Sequence, residues 1–118
     1  MIKIYHNPRC SKSRETLKLL HKKGIEPEII LYLEKGLTTK EVEEILSKLN
    51  LVLNITAREI MRKNEEEFKE QNLGDKNLSE ENLIAAIVKT PKLLERPIVI
   101  NKDKAALGRP PENVLEIL

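Results

Sequence analysis

The spacing of apolar and polar residues predicts that the chain begins with a β-α-β unit. Ile2 and Ile4 alternate with polar neighbours, which indicates a short N-terminal strand with one buried face. From about residue 11 to residue 23 the apolar positions recur with helical spacing. A nearly continuous apolar run over residues 26–33 then predicts a central strand buried on both faces. This spacing predicts two parallel strands joined by a right-handed crossover.

The capping residues and apolar spacing over residues 37–95 predict a helical insertion. Thr38 and Thr56 each begin a Thr-x-x-Glu capping box, and Ser79 caps a later helix. An acidic stretch between them predicts a solvated helix anchored by Phe68. The positions predicted to be buried in the first and last of these helices are Val42, Ile45, Leu46, Leu49, Leu83, Ile84, Ile87 and Val88.

The sheet is expected to resume towards the C-terminus. The pattern over residues 96–101 and 105–108 predicts a hairpin around a turn at 102–104, and a last helix follows over residues 112–118. The order β-α-β, helices, β-β-α is the thioredoxin-like arrangement. The sequence therefore predicts an α/β fold of that class in one domain, residues 1–118, with its helical insertion, about 37–95, between the second and third strands.

Composition narrows the classes of function. The 118 residues carry a net charge of only +2, with 21 basic and 19 acidic residues mixed along the chain, which argues against a nucleic-acid binder. No apolar run approaches the ~18 residues of a transmembrane helix, and no signal peptide is recognisable. A single cysteine forms no internal disulfide, so we expect a cytoplasmic protein. Cys/His clusters with metal-ligand spacing are missing, and we expect no metal and no bound cofactor.

The one cysteine, Cys10, is the strongest chemical signal. It lies on the predicted loop between the first strand and the N-terminus of the first helix, where free N–H groups and the helix dipole favour an anion. Arg9, Lys12 and Arg14 add positive charge, and each should lower the pKa of the thiol. We therefore expect an accessible thiol of low pKa. The alternative is a buried structural cysteine, which usually has apolar rather than basic neighbours.

Several separated motifs carry a family resemblance. The segment Tyr5-His6-Asn7-Pro8-Arg9-Cys10-Ser11-Lys12-Ser13-Arg14 resembles the active-site loop of the ArsC family, the glutaredoxin-coupled arsenate reductases and their relatives. The resemblance continues through residues 29–34, 62–64, 96–99 and 108–110, and it covers essentially the whole chain.

The resemblance implies a role for each matching residue. Cys10 matches the nucleophile that attacks arsenate, and His6 matches a histidine important near the thiol. Pro97 matches the cis-proline that thioredoxin-like folds place beside the active-site loop. Helical spacing, rather than the resemblance, singles out Ser13: it is three residues after Cys10, so its hydroxyl could reach back towards the sulfur or bind first-turn backbone. Arg14 and His6 are expected to tune the thiolate. Three arginines hold the oxyanion in that family, and the matching residues are Arg62, Arg96 and Arg109. Guanidinium groups suit this task because their planar forks match oxyanions.

Each of these residues also has an ordinary structural interpretation. Arg62 follows an apolar helix and could cap its end. Arg96 could form a surface ion pair with Glu95, and Arg109 could lie at a turn without any functional role. His6 could be a polar residue at a strand end. Only the joint match of the motifs favours function.

The resemblance implies a cytosolic reductase of arsenate or a related oxyanion, with glutathione as external reductant and glutaredoxin as partner. Ser11-Lys12 replaces the Gly-Thr of the better-known reductases, and the chain stops at Leu118 without their C-terminal extension. Two alternatives therefore stay open: a regulatory protein of the Spx type that binds RNA polymerase, and a glutathione-linked thiol oxidoreductase without arsenate activity. Ser13 stands where the Spx type often carries a second cysteine, which counts against the former.

Overall fold

A mixed sheet forms the centre of the computed structural model, which describes residues 1–50 and 55–118. Its four strands in that part of the chain are β1 (Ile2–Tyr5), β2 (Glu28–Ile30), β3 (Ile98–Asn101) and β4 (Lys104–Leu107). The spatial order is β2-β1-β3-β4. β1 pairs parallel with β2 and antiparallel with β3, and β3 pairs antiparallel with β4. The predicted β-α-β unit and C-terminal hairpin are thereby confirmed.

Helices cover both faces of this sheet. The α-helices are α1 (Ser11–Lys22), α2 (Tyr32–Lys35), α3 (Thr39–Asn50), α4 (Glu66–Glu70) and α5 (Glu80–Lys89). In the ranges that the structure describes, three 3₁₀ segments span Ala57–Ile60, Pro91–Leu93 and Pro111–Ile117. None of the helices in the described ranges is long and apolar enough to cross a membrane.

The alternation of side chains along the strands divides the core into two layers. Ile4 of β1 and Val99 of β3 pack with α1 and the C-terminal 3₁₀ segment. Their neighbours Tyr5 and Ile98 face the opposite side and pack with α3 and α5. Because successive residues serve different layers, a short strand such as β1 holds α1 and the helical insertion on opposite sides of one sheet.

The predicted helix starts are confirmed. The Thr38 hydroxyl accepts the Glu41 N–H at 3.1 Å at the start of α3, and Ser79 does the same for Asn82 at the start of α5. The capping box at Thr56 is also present, but it begins a 3₁₀ turn. Of the eight helix positions predicted to be buried, seven are buried and Val88 is partly buried.

Some boundaries differ from the prediction. The apolar run over residues 26–33 contains only the short strand β2, which lies at the edge of the sheet rather than its centre, and α2 begins at Tyr32. The hairpin turn is one residue shorter than predicted because β4 begins at Lys104. The predicted insertion over 37–95 includes residues 51–54, which lie outside the described residues. In its described part an isolated bridge joins Met61 to Leu94.

Candidate active site

Cys10 lies at the N-terminal capping position of α1. Its backbone is extended, its carbonyl accepts the Arg14 N–H at 3.0 Å, and its own N–H is bound to the carbonyl of Asn7 at 3.0 Å. This turn before the helix directs the first N–H groups of α1 towards the sulfur, although no short capping hydrogen bond to the side chain forms. The sulfur therefore lies where the unpaired donors of a helix begin.

The surroundings of Cys10 favour its thiolate. Burial opposes ionisation, yet the Ser13 N–H, the Arg96 guanidinium and the Lys12 N–H outweigh it, and the pKa of the Cys10 thiol is lowered. The predicted contribution of the helix N-terminus is present in the Ser13 and Lys12 N–H groups. The predicted contribution of the loop's basic side chains was wrong, because the charged side chain that lowers the pKa is Arg96, from the segment just before β3.

Cys10 is also less accessible than predicted. Only 9% of the residue is exposed, so Cys10 is largely buried in the structure rather than open as expected. The first turn of α1 covers one side of the sulfur, and Nη1 of Arg109 lies 4.0 Å from it on another. The residue is nevertheless covered by polar donors rather than by an apolar core, which distinguishes it from a structural cysteine.

His6 and Ser13 form a buried pair beside the cysteine loop. Nδ1 of His6 lies 2.6 Å from the Ser13 hydroxyl oxygen, which also accepts the Asn7 N–H at 3.0 Å. Burial and then the charge of Arg14 lower the pKa of His6, so the imidazole is neutral near pH 7. Arg14 itself donates to the carbonyl of Pro8 at 2.9 Å on the surface. Its electrostatic effect is therefore on His6, whereas the sequence prediction had it tune the thiolate.

The three predicted arginines meet in one cavity. Its volume is about 150 Å³, which is room for several water-sized groups. The lining residues are Arg62, Lys63, Asn64, Glu95, Arg96 and Arg109. Four basic residues thus line one small space together with a single acidic residue, Glu95, while Arg62 is also paired with Glu65 outside the lining. Such a cavity suits a compact, multiply charged anion.

Backbone contacts hold each arginine at this cavity. The N–H of Arg62 donates to the carbonyl of Leu93 at 2.7 Å, beside the Met61–Leu94 bridge. Arg109 reaches across to donate from Nη1 to the Arg96 carbonyl at 3.2 Å. The Arg96–Pro97 peptide bond is cis, as the family resemblance implied, and so is Arg109–Pro110. Segments far apart in the chain therefore converge because the sheet brings β3, β4 and the bridge together.

A larger groove of about 430 Å³ lies on another side of the cysteine loop. Its lining residues are His6, Asn7, Pro8, Arg9, Leu31, Leu33 and Glu34. Arg9 is its one side chain with a fixed positive charge, and Glu34 offsets it. The smaller cavity suits an oxyanion better than the groove, because charge, rather than volume, attracts an oxyanion. Within the described residues, no cluster of three or more His, Cys, Asp or Glu side chains could hold a metal ion.

Tyr32 is the residue near this site that the sequence did not identify. Its side chain is buried, with 1% of the residue exposed. Burial raises the pKa of its phenol to about 12. The charge of Cys10 raises this pKa further, whereas Arg96 and Arg62 lower it. Tyr32 was predicted to be part of a strand, and a tyrosine in an otherwise aliphatic run was the available signal. Lys63 and Asn64 belonged to a quoted motif, but no role was predicted for them.

Comparison with known proteins gives close relatives over the whole chain. The Haemophilus influenzae protein named arsenate reductase is 53% identical over 115 residues, which are 98% of this chain and 97% of that protein. The uncharacterized protein YfgD of Escherichia coli (strain K12) is 56% identical over 117 residues, 99% of this chain and 96% of that protein. The chain is thus similar to proteins of nearly its own length.

The structural comparison agrees. The solved structure of an arsenate reductase from Vibrio cholerae superimposes with a TM-score of 0.93 at 52% identity, covering 99% of this chain and 97% of that one. The thioredoxin-like fold predicted from the order of elements is confirmed by this match. Residues 5–117 match the ArsC family, a range that contains the cysteine loop and all three arginines of the cavity. The chain therefore belongs to the ArsC family.

Proposed function

We propose that this protein is an arsenate reductase in which Cys10 attacks an oxyanion held by Arg62, Arg96 and Arg109. The observation that carries the proposal is the convergence of these arginines on one small cavity, with Arg109 4.0 Å from the sulfur and Arg96 lowering its pKa. Membership in the ArsC family and relatives named arsenate reductase support arsenate as the substrate.

The arginines serve both reactants in this reaction. A thiolate approaching an arsenate dianion is repelled, and preorganised cations reduce that repulsion in the transition state. Cys10 forms a bond to arsenic and one arsenate oxygen leaves, after protonation, as water. Arg96 contributes twice, because it favours the thiolate and also faces the anion.

A second thiol completes the reduction. This chain contains no second cysteine, and a serine hydroxyl at Ser13 forms no disulfide. An external thiol therefore supplies the other electron of the two that arsenate requires, and arsenite is released as Cys10 becomes a mixed disulfide. Glutathione fits this role, and a glutaredoxin would then remove the glutathione by thiol–disulfide exchange. Such chemistry requires a reducing compartment, which is consistent with a cytoplasmic location.

The cavity favours this function over the two alternatives. A glutathione-linked oxidoreductase acts on a disulfide and has no need of three arginines around a small cavity. A Spx-type switch requires a second cysteine near the first, and Ser13 is instead hydrogen-bonded to His6.

Substitution of one guanidinium tests the proposal. In an assay of arsenite formation with glutathione and glutaredoxin, Arg96→Lys should lower kcat/KM for arsenate about tenfold or more, because an ammonium group does not reproduce the planar fork. Arg9→Lys is the matched control, because Arg9 is exposed, adjoins Cys10 and does not line the cavity. The kcat/KM of this variant for arsenate should be nearly unchanged. Equal rates for wild type and Arg96→Lys would contradict the proposal.

A further inference from the structure

The arginine cavity contains one carboxylate, Glu95, whose presence an anion site does not by itself explain. The position of Glu95 is set by the backbone, because its N–H donates to the carbonyl of Ile60 at 2.7 Å next to the Met61–Leu94 bridge. A quarter of its side chain is exposed, and it lines the same space as the arginines. An anion bound in the cavity would therefore lie beside Glu95.

Glu95 does not neutralise Arg96 closely. Its Oε1 lies 3.5 Å from Nη1 of Arg96, against about 2.8 Å for a tight charged hydrogen bond. Nε of Arg96 is buried and has no hydrogen-bond partner among the residues that the structure describes. The Glu95 carboxylate thus keeps acceptor capacity for another donor.

Glu65, which lies beside the cavity, provides the contrast. It binds Nη2 of Arg62 at 2.9 Å, and it does not line the cavity. An acidic residue that only balances arginine charge would be expected to resemble Glu65. Glu95 differs from Glu65 because it faces the space where the anion would bind.

A carboxylate among cations distinguishes anions by their protons. An ionised carboxylate only accepts hydrogen bonds, so it repels a tetrahedral anion that carries no proton. An anion that carries a hydroxyl group can instead donate a charge-assisted hydrogen bond from this O–H to the carboxylate oxygen. At neutral pH arsenate and phosphate retain at least one proton, whereas sulfate retains none.

We propose that Glu95 determines specificity by accepting a hydrogen bond from the hydroxyl group of a protonated tetrahedral oxyanion. The cavity then prefers hydrogen arsenate and hydrogen phosphate to sulfate, although all three have similar size and shape. This inference rests on the proposed function, since it takes the arginine cavity as the oxyanion site.

Phosphate and sulfate test the inference without turnover, because neither is reduced by a thiol. The dissociation constants of both anions are measured by calorimetry near pH 7 for the wild type, Glu95→Gln and Glu65→Gln, and their protection of Cys10 from iodoacetamide locates the binding. The wild type should prefer phosphate. Glu95→Gln should shift the phosphate-to-sulfate preference about tenfold or more towards sulfate, because the amide offers sulfate a donor. Glu65→Gln should change both constants by the same factor.

The outcomes separate this inference from the proposed function. If Glu95→Gln lowers the dissociation constants of both anions by the same factor, the carboxylate acts only through its charge. The specificity role is then refuted, while the oxyanion site stands. If neither anion protects Cys10 in the wild type, the site itself is refuted and the specificity role with it. Should Glu95→Gln fail to fold by circular dichroism, Glu95→Ala makes the same prediction of a lost phosphate preference.

Discussion

At the scale of the residue, the chemistry of Cys10 depends on groups that are distant in sequence. The neighbours of the cysteine suggested a reactive thiol, and the direction of its pKa is as predicted, but the cation acting on it is Arg96. Arg14, four residues from Cys10, donates to Pro8 and affects His6 instead. The sequence predicted the sign of the effect and the part played by the helix N-terminus, but not the charged side chain, because side chains of a loop can point away from a neighbouring residue.

Alkylation of Cys10 distinguishes these two sources. The rate of reaction with iodoacetamide should rise with pH at a midpoint below the free-thiol value of ~8.5, because the thiolate is the reactive form. Arg96→Gln should move this midpoint upwards, since it removes a charge and a hydrogen bond that favour the thiolate. Arg14→Gln is the matched control and should leave the midpoint close to that of the wild type. A wild-type midpoint at or above ~8.5, or equal shifts in the two variants, would contradict the assignment.

At the scale of the element, close packing links the cis-proline loop to α1. Gly108 follows β4, and its N–H donates to the carbonyl of Pro97 at 2.9 Å. A Cβ atom at Gly108 would lie 2.6 Å from the hydroxyl oxygen of Thr16 in α1 and 2.8 Å from Cγ of Pro97. Glycine is therefore required because two elements approach its backbone, and Arg96 and Arg109 lie immediately beside this contact.

Substitution of Gly108 should disturb both stability and the site. Gly108→Ala forces Thr16 and Pro97 apart, and we expect it to lower the free energy of unfolding by about 1–3 kcal/mol. Chemical denaturation measures this loss. Gly74→Ala is the control, because a Cβ atom there meets only Phe68 at an ordinary 3.7 Å. A Gly108→Ala protein as stable as Gly74→Ala would show that the contact is not tight.

For the molecule as a whole, the sequence predicted the order of the elements. It did not predict how deeply a strand is buried or whether it lies at the centre or the edge of the sheet. Capping residues such as Thr38 and Ser79 mark helix starts by local hydrogen bonds, and local signals are readable from sequence. The run containing Ile29 and Leu33 was interpreted as a buried strand, yet these residues are 44% and 43% exposed. An apolar run does not itself distinguish a central strand from an edge strand followed by a helix, since neighbours in space decide burial.

The same limit applies to the candidate site. The family resemblance named Arg62, Arg96 and Arg109 together, and the structure brings them to one cavity. No sequence pattern indicated that Glu95 would face the same space or that Tyr32 would lie near the thiol. The placement of Glu95 depends on a long-range contact, the Met61–Leu94 bridge, and that of Tyr32 on the chain leaving the sheet after β2 and starting α2 at this residue.

The central claim is that Cys10 reduces an oxyanion and is resolved by an external thiol. The most direct measurement is arsenite formation from arsenate over many turnovers, with glutathione and glutaredoxin present or omitted, for wild type, Cys10→Ser and the neighbouring control Ser11→Ala. We expect sustained arsenite formation by wild type and Ser11→Ala only when thiol is present, and none above background by Cys10→Ser. When glutaredoxin alone is omitted, the intact mass should show a Cys10–glutathione adduct. Repeated turnover without any external thiol, or full activity of Cys10→Ser, would rule this mechanism out.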